Sequence, residues 1–135
     1  MASILRLGVA ILALGALAVA APLGSAATGH VRFFQTPTHN ISCELDSGRA
    51  GVPDAAYCQT LSPAASATLR ATGTLKTCHG TRCLGNPPEN DPVLAYGHRI
   101  VLGPFRCDSR ATGVSCVGSA GRGFTISRSG VSSTR

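Results

Sequence analysis

The stretch FQTPTHNISCEL, residues 34–45, decides how this chain is to be read. It brings a proline, a histidine, an asparagine and a cysteine close together between apolar residues. As a site it would offer His39 and Cys43 for chemistry. As a turn, Pro37 presets the first bend, and Asn40 is one of the few residues besides glycine that tolerate a positive φ. A second stretch favours the turn. Cys107-Asp108-Ser109 followed by Gly113-Val114-Ser115-Cys116 overlays without a gap on Phe34-Gln35-Thr36 followed by Asn40-Ile41-Ser42-Cys43. Phe34 then falls on Cys107, Thr36 on Ser109, Asn40 on Gly113 and Cys43 on Cys116. Both stretches read as β-hairpins, with Cys107 opposite Cys116 and Arg110 to Gly113 making the turn. Directly opposed β-carbons lie ~4.5–5.5 Å apart, close enough for a bridge after modest adjustment. Phe34 in the place of a cysteine leaves Cys43 free to reach Cys58. His39 becomes an exposed turn residue, not a catalytic one.

Working outward, strand signals outnumber helix signals. RIVLGPFRCDS (99–109), GVSCVG (113–118) and GFTISRS (123–129) are apolar, β-branched and bounded by glycine or proline. LSPAASATLRATG (61–73) is ambiguous. Ser62 and Pro63 suit a helix start, whereas Thr68, Leu69, Thr72, Thr74 and Leu75 suit two strands turning at Gly73, the reading adopted here. The expected fold is all-β: a small disulfide-stabilised domain of short antiparallel strands and hairpins.

The beginning of the chain reads differently. Arg6 is followed by LGVAILALGALAVAA (7–21), fifteen residues without a charged or polar side chain, and then by Pro22, Gly24 and small residues. A charged start, a short apolar run and a small-residue exit describe a secretory signal peptide helix over residues 1–26. The run is short of the ~20 residues of a spanning helix. Cleavage is expected after Ala26 or Ala27, with Ala20 as the alternative. The first thiol is Cys43, so no lipid-anchor cysteine precedes it, and no stable membrane insertion is expected after signal removal. Residues 27–135 form a single domain with its core at about 31–130.

That domain has no Trp, two Tyr and four Phe, a small apolar inventory for a domain that buries a modest share of its surface. Its six cysteines, Cys43, Cys58, Cys78, Cys83, Cys107 and Cys116, read as a disulfide framework, and their spacing favours the local pairs 43–58, 78–83 and 107–116. CHGTRC (78–83) lacks the second His/Cys cluster of a zinc site, and its histidine is misplaced for haem attachment. No metal and no cofactor are expected.

Eleven basic side chains, ten Arg and Lys76, face six acidic ones past the signal segment, a formal +5. Such a surface favours anionic envelope polymers. Nucleic acid is discounted, because neither a basic run nor interleaved aromatics appear. Arg82, Arg110 and Arg122 fall in loops and Tyr96 ends a strand before Gly97, so these four are the candidate binding residues. Catalysis has thinner support. His30, His39, His79 and His98 and the acids Asp46, Asp54, Asp91 and Asp108 carry no G-x-S-x-G or H-E-x-x-H pattern. Glu44, Asp46 and Glu89 could supply a carboxylate pair, but Glu44 and Asp46 share a strand face expected to be solvated. Arg82 beside a bridge also suits a proteinase inhibitor loop. The leading expectation is a monomeric, non-catalytic exported module that binds an anionic envelope polymer or an extracellular protein; inhibitor and small hydrolase are the alternatives.

FQTPTHNISCEL, AYCQT, CLGN, VLAYG, GPFRCDS, GVSC and GRGFTISRSG, in this order, resemble a family of small secreted actinobacterial proteins catalogued as a domain of unknown function. The resemblance spans about Phe33 to Gly130. It implies export and a disulfide-held β domain, and it implies no reaction. Many members carry Ser at the position of Thr38, His at that of Arg122 and Asp at that of Asn86, so no role is carried over to those three residues.

Overall fold

The computed structural model describes residues 30–135. The signal segment read from residues 1–26 lies outside them. No helix among the described residues is long and apolar enough to cross a membrane. The chain folds into two five-stranded antiparallel meanders. The first contains β1 (Val31–Gln35), β2 (Ile41–Asp46), β3 (Ala55–Leu61), β4 (Ala64–Arg70) and β5 (Leu75–His79). The second contains β6 (Arg99–Leu102), β7 (Phe105–Arg110), β8 (Gly113–Val117), β9 (Gly123–Ser127) and β10 (Gly130–Thr134). The ambiguous stretch after Leu61 is strand on both sides of Gly73, as its β-branched residues suggest.

Alternation builds the core. In β7, Phe105, Cys107 and Ser109 are buried while Arg106 and Arg110 are exposed, the period-2 pattern of a sheet with one wet face. Asp108 on that outer face takes Arg99 of the paired strand at 2.7 Å. One apolar cluster joins the inner faces of both sheets, with Phe34, Ile41, Leu45 and Leu69 from the first and Phe105, Val114, Phe124 and Ile126 from the second. Side-chain sizes are complementary. Ala56, Ala65 and Ala67 leave room on β3 and β4, the strands that pack against β9 and its Phe124.

Three bridges join Cys43 to Cys58, Cys78 to Cys83 and Cys107 to Cys116. The first and third link directly opposed residues, each with Cα atoms 4.1 Å apart, and they touch across the core, Cys58 Sγ lying 3.8 Å from Cys116 Sγ. The two sheets also repeat each other strand for strand. Each central bridge ties a second strand to a third. The fourth strand sets Ala67 or Phe124 beside the third-strand cysteine, then pairs an aliphatic residue with one on the fifth strand: Leu69 with Leu75, Ile126 with Val131. The hairpin overlay drawn from the sequence has the right registers, Phe34 opposite Cys43 and Cys107 opposite Cys116. It is displaced by one strand from this repeat, in which β2–β3 matches β7–β8.

Between the sheets runs a linker with three prolines, Pro87, Pro88 and Pro92. Proline holds the chain extended and removes backbone donors, so the linker crosses a sheet without becoming a sixth strand. It crosses the outer face of the first sheet, where Gly85 N donates to Gln59 Oε1 and Tyr57 Oη donates to the Cys83 carbonyl at 3.1 Å. It then covers the free edge of β1 through a parallel bridge from Gln35 to Val93. An uncovered edge would expose unpaired backbone groups.

Three readings from the sequence need correction. The left-handed residue of the first turn is His39, at φ 56°, not Asn40. Tyr96 lies in a turn and ends no strand, because only Val93 of VLAYG pairs. Glu44 and Asp46 do share a face, but it is not a solvated one, since Asp46 is buried.

Candidate anion-binding groove

Four turns meet at one end of the molecule: β1–β2, β3–β4, β7–β8 and β9–β10. Asn40 locks the first two together. Its side chain donates to Thr60 Oγ1 and to the Ser62 carbonyl, and accepts from Ser62 N at 3.0 Å. Here the carboxamide, and not the backbone, explains why asparagine stands at this position. On the other sheet, Gly113 adopts φ 140°, and a β-carbon there would fall within 2.4 Å of the Ile126 carbonyl. Glycine therefore lets the β7–β8 turn close onto β9. Buried Ser109 holds the segment before β6, its Oγ donating to the Leu94 carbonyl while Gly97 N donates to the Ser109 carbonyl at 2.8 Å. That places Tyr96 beside Arg110.

Between these turns opens a cavity of about 250 Å³, lined by Thr36, Thr38, Asn40, Tyr96, Arg110, Thr112, Ser127 and Arg128 among others, with no Asp or Glu in the lining. It adjoins a cleft that shares Thr38, Asn40 and Arg128 and reaches Ser62 and Pro63. Arg110 and Arg128 make no ion pair among the described residues, whereas Arg49, Arg99 and Arg106 each face an aspartate. Two free guanidinium forks, several hydroxyls and one tyrosine ring suit a phosphate or carboxylate carried on a polyol or sugar.

Of the four candidates from the sequence, Arg110 and Tyr96 share this groove. Arg122 lies in the turn at the other end of β8, lining a separate cavity with Gly73 and Arg135. Arg82 sits in an exposed 3-10 turn, Thr81–Cys83, inside the Cys78–Cys83 loop. Arg128 was not singled out. Its signal was the short SRSG turn between β9 and β10, the counterpart of the turn that carries Arg110.

Other chemistry is less well furnished. Cys78 and Cys83 are bonded to each other, so CHGTRC has no thiolate to offer a metal. His30 Nδ1 faces the Ser47 carbonyl and His39 Nδ1 faces Gln35 Oε1; neither histidine meets a carboxylate there. Away from the groove, burial pushes Glu44 up to about 6, with the neighbouring Asp46 and Asp91 adding to the rise and Arg49 opposing it. Burial also raises Asp91. The folded protein thus holds the Glu44 proton more tightly than the unfolded chain. Glu44 favours folding fully below pH 4.5, and that contribution is lost as pH rises through about 6. Such a shift corresponds to about 2 kcal/mol, which solvent screening of a half-buried group reduces to about 1 kcal/mol. Glu44→Gln is therefore expected to stabilise the protein by about that amount at neutral pH and to change little near pH 4.5. Urea unfolding at the two pH values measures the difference.

Residues 65–132 match a family described as "Family of unknown function (DUF6636)". The matched range runs from β4 into β10 and contains Tyr96, Arg110 and Arg128 together with the Cys78–Cys83 and Cys107–Cys116 bridges. No curated protein and no solved structure matches the chain. With half of its length accounted for in this way, the chain belongs to that family of unknown function.

Proposed function

We propose that this protein is an exported, non-catalytic binding module for an anionic polymer of the cell envelope, gripped by the groove at the turn end. The observation that carries the reading is the pair Arg110 and Arg128, without ion pairs among the described residues, in one cavity with Tyr96 and no Asp or Glu in its lining. The framework supports it: three disulfides fit an oxidising compartment, and rigid turns reduce the entropy lost on binding. The inhibitor reading has less support. Arg82 is in a helical turn, whereas a peptide recognised by strand addition must be extended.

Co-sedimentation of the oxidised protein with envelope fragments, at low and high salt, tests the proposal. A charge-assisted hydrogen bond contributes ~1.5–3 kcal/mol, and 1.4 kcal/mol is about tenfold in affinity. Arg110→Gln/Arg128→Gln should therefore weaken pelleting by about tenfold or more, and Arg82→Gln/Arg122→Gln by much less. Equal loss in both double variants, or pelleting that vanishes in salt for the unsubstituted protein, would reduce the effect to net charge.

A further inference from the structure

The linker also roofs two neighbouring spaces beside β1, one on the outer face of the first sheet and one at the β1 edge toward β6, neither sharing a residue with the turn-end groove. Phe33 lines both. The first, a cavity of about 70 Å³, is walled by Phe33, Glu44, Tyr57 and Gln59 beneath Gly85–Pro87. The second, a wider space of about 380 Å³, has Phe33 and Ile100 as walls and Asp91 in its lining. Asp91 is only 6% exposed, and its Oδ2 has no hydrogen-bond partner among the described residues. Glu44 belongs to none of the ion pairs there. A buried carboxylate oxygen without a donor is costly. In a domain that is basic as a whole, Glu44, Asp46 and Asp91 gather here. Arg49 answers Asp46 at 2.9 Å, and Arg32 stands in the lining of the wider space.

Aromatic faces beside carboxylates are a setting for ammonium groups. The ring quadrupole attracts a cation within about 6 Å, and a carboxylate adds charge-assisted hydrogen bonds. The apolar lining suits an alkyl stem. We propose that these adjoining spaces bind a primary alkylammonium group, its charge set between Glu44 of the one and Asp91 of the other and its stem lying along Phe33, which lines both. The site is independent of the anion-binding reading and would give the module a second, oppositely charged ligand.

Titration of the 15N-labelled oxidised protein with n-hexylammonium, n-hexanol and hexanoate tests it. Hexylammonium should shift the amides of Phe33, Glu44, Tyr57 and Ile100, with at least about tenfold higher affinity than hexanol, about 1.4 kcal/mol. Hexanoate should leave them in place. Glu44→Gln and Asp91→Asn should each weaken the amine several-fold without moving Thr112, which reports on the other groove. Binding should also weaken as pH falls through about 6, where Glu44 takes up its proton; Asp46, Asp91 and Arg49 are the other charged groups facing it. Nα-acetyl-lysine amide run beside hexylammonium separates a peptide lysine from a free amine, and preference for either supports the site. Equal affinity for hexanol, tighter binding of hexanoate, no shift at millimolar hexylammonium, or indifference to both substitutions would each overturn it. Those comparisons on the unsubstituted protein need no variant to fold, and none of them touches Arg110 or Arg128.

Discussion

Phe124→Ala is expected to lower the unfolding free energy by about 3–5 kcal/mol, a large share of the ~5–15 kcal/mol of an ordinary domain. Phe124 is fully buried. It is the bulky partner of an alanine surface: β3 and β4, which carry Ala56, Ala65 and Ala67, pack against β9. Alanine there would leave small side chains facing each other across the two sheets and a void between them. Cys58 and Cys116, its neighbours, are held by their bridges. Urea unfolding of the oxidised protein followed by far-ultraviolet circular dichroism measures the loss. A cost below about 1 kcal/mol would mean that the sheets close over the gap, and size complementarity between them would not be what holds them together.

The second large effect is expected from Cys43→Ala/Cys58→Ala, at about 3 kcal/mol from loop entropy, with a packing loss added. The bridge closes fifteen residues, and both cysteines are buried. Cys58 Sγ also packs on Cys116 Sγ at 3.8 Å. Cys78→Ala/Cys83→Ala should cost about 2 kcal/mol or less, because that loop spans five residues at the surface. Unfolding midpoints of the two double variants check the order. A larger loss from the surface bridge would show that the linker it precedes, rather than the core, limits stability.

How much of this was legible beforehand follows from the range of each signal. The pairing of all six cysteines could be read from spacing, since each bridge lies within a hairpin or a short loop. Hairpin registers could be read from turn residues and alternation. Asn40 was identified as important for the wrong reason: its carboxamide binds Ser62, twenty-two residues away, while the neighbouring His39 takes the left-handed backbone. Glu44 and Asp46 looked solvated because alternate polar residues on a strand usually are. What the pattern does not contain is the linker that later crosses beside Glu44, held by Tyr57 and Gln59.

By itself the sequence determined the class of fold, the disulfide framework and the strands with clear alternation, because these depend on neighbours along the chain and on period-2 burial. The last strand, GVSST, carries a single large apolar residue and announces itself weakly. Only the tertiary structure decided which scattered charges work together. Arg110 at the end of β7, Arg128 in the β9–β10 turn and Tyr96 in the linker come together at one end of the second meander, the stacked first sheet closes the groove with Thr36, Thr38 and Asn40, and Arg122 is carried to the opposite end of β8. A groove made of turn tips from two sheets has no footprint in local pattern, since its geometry is set by how the inner faces pack and not by the residues that line it.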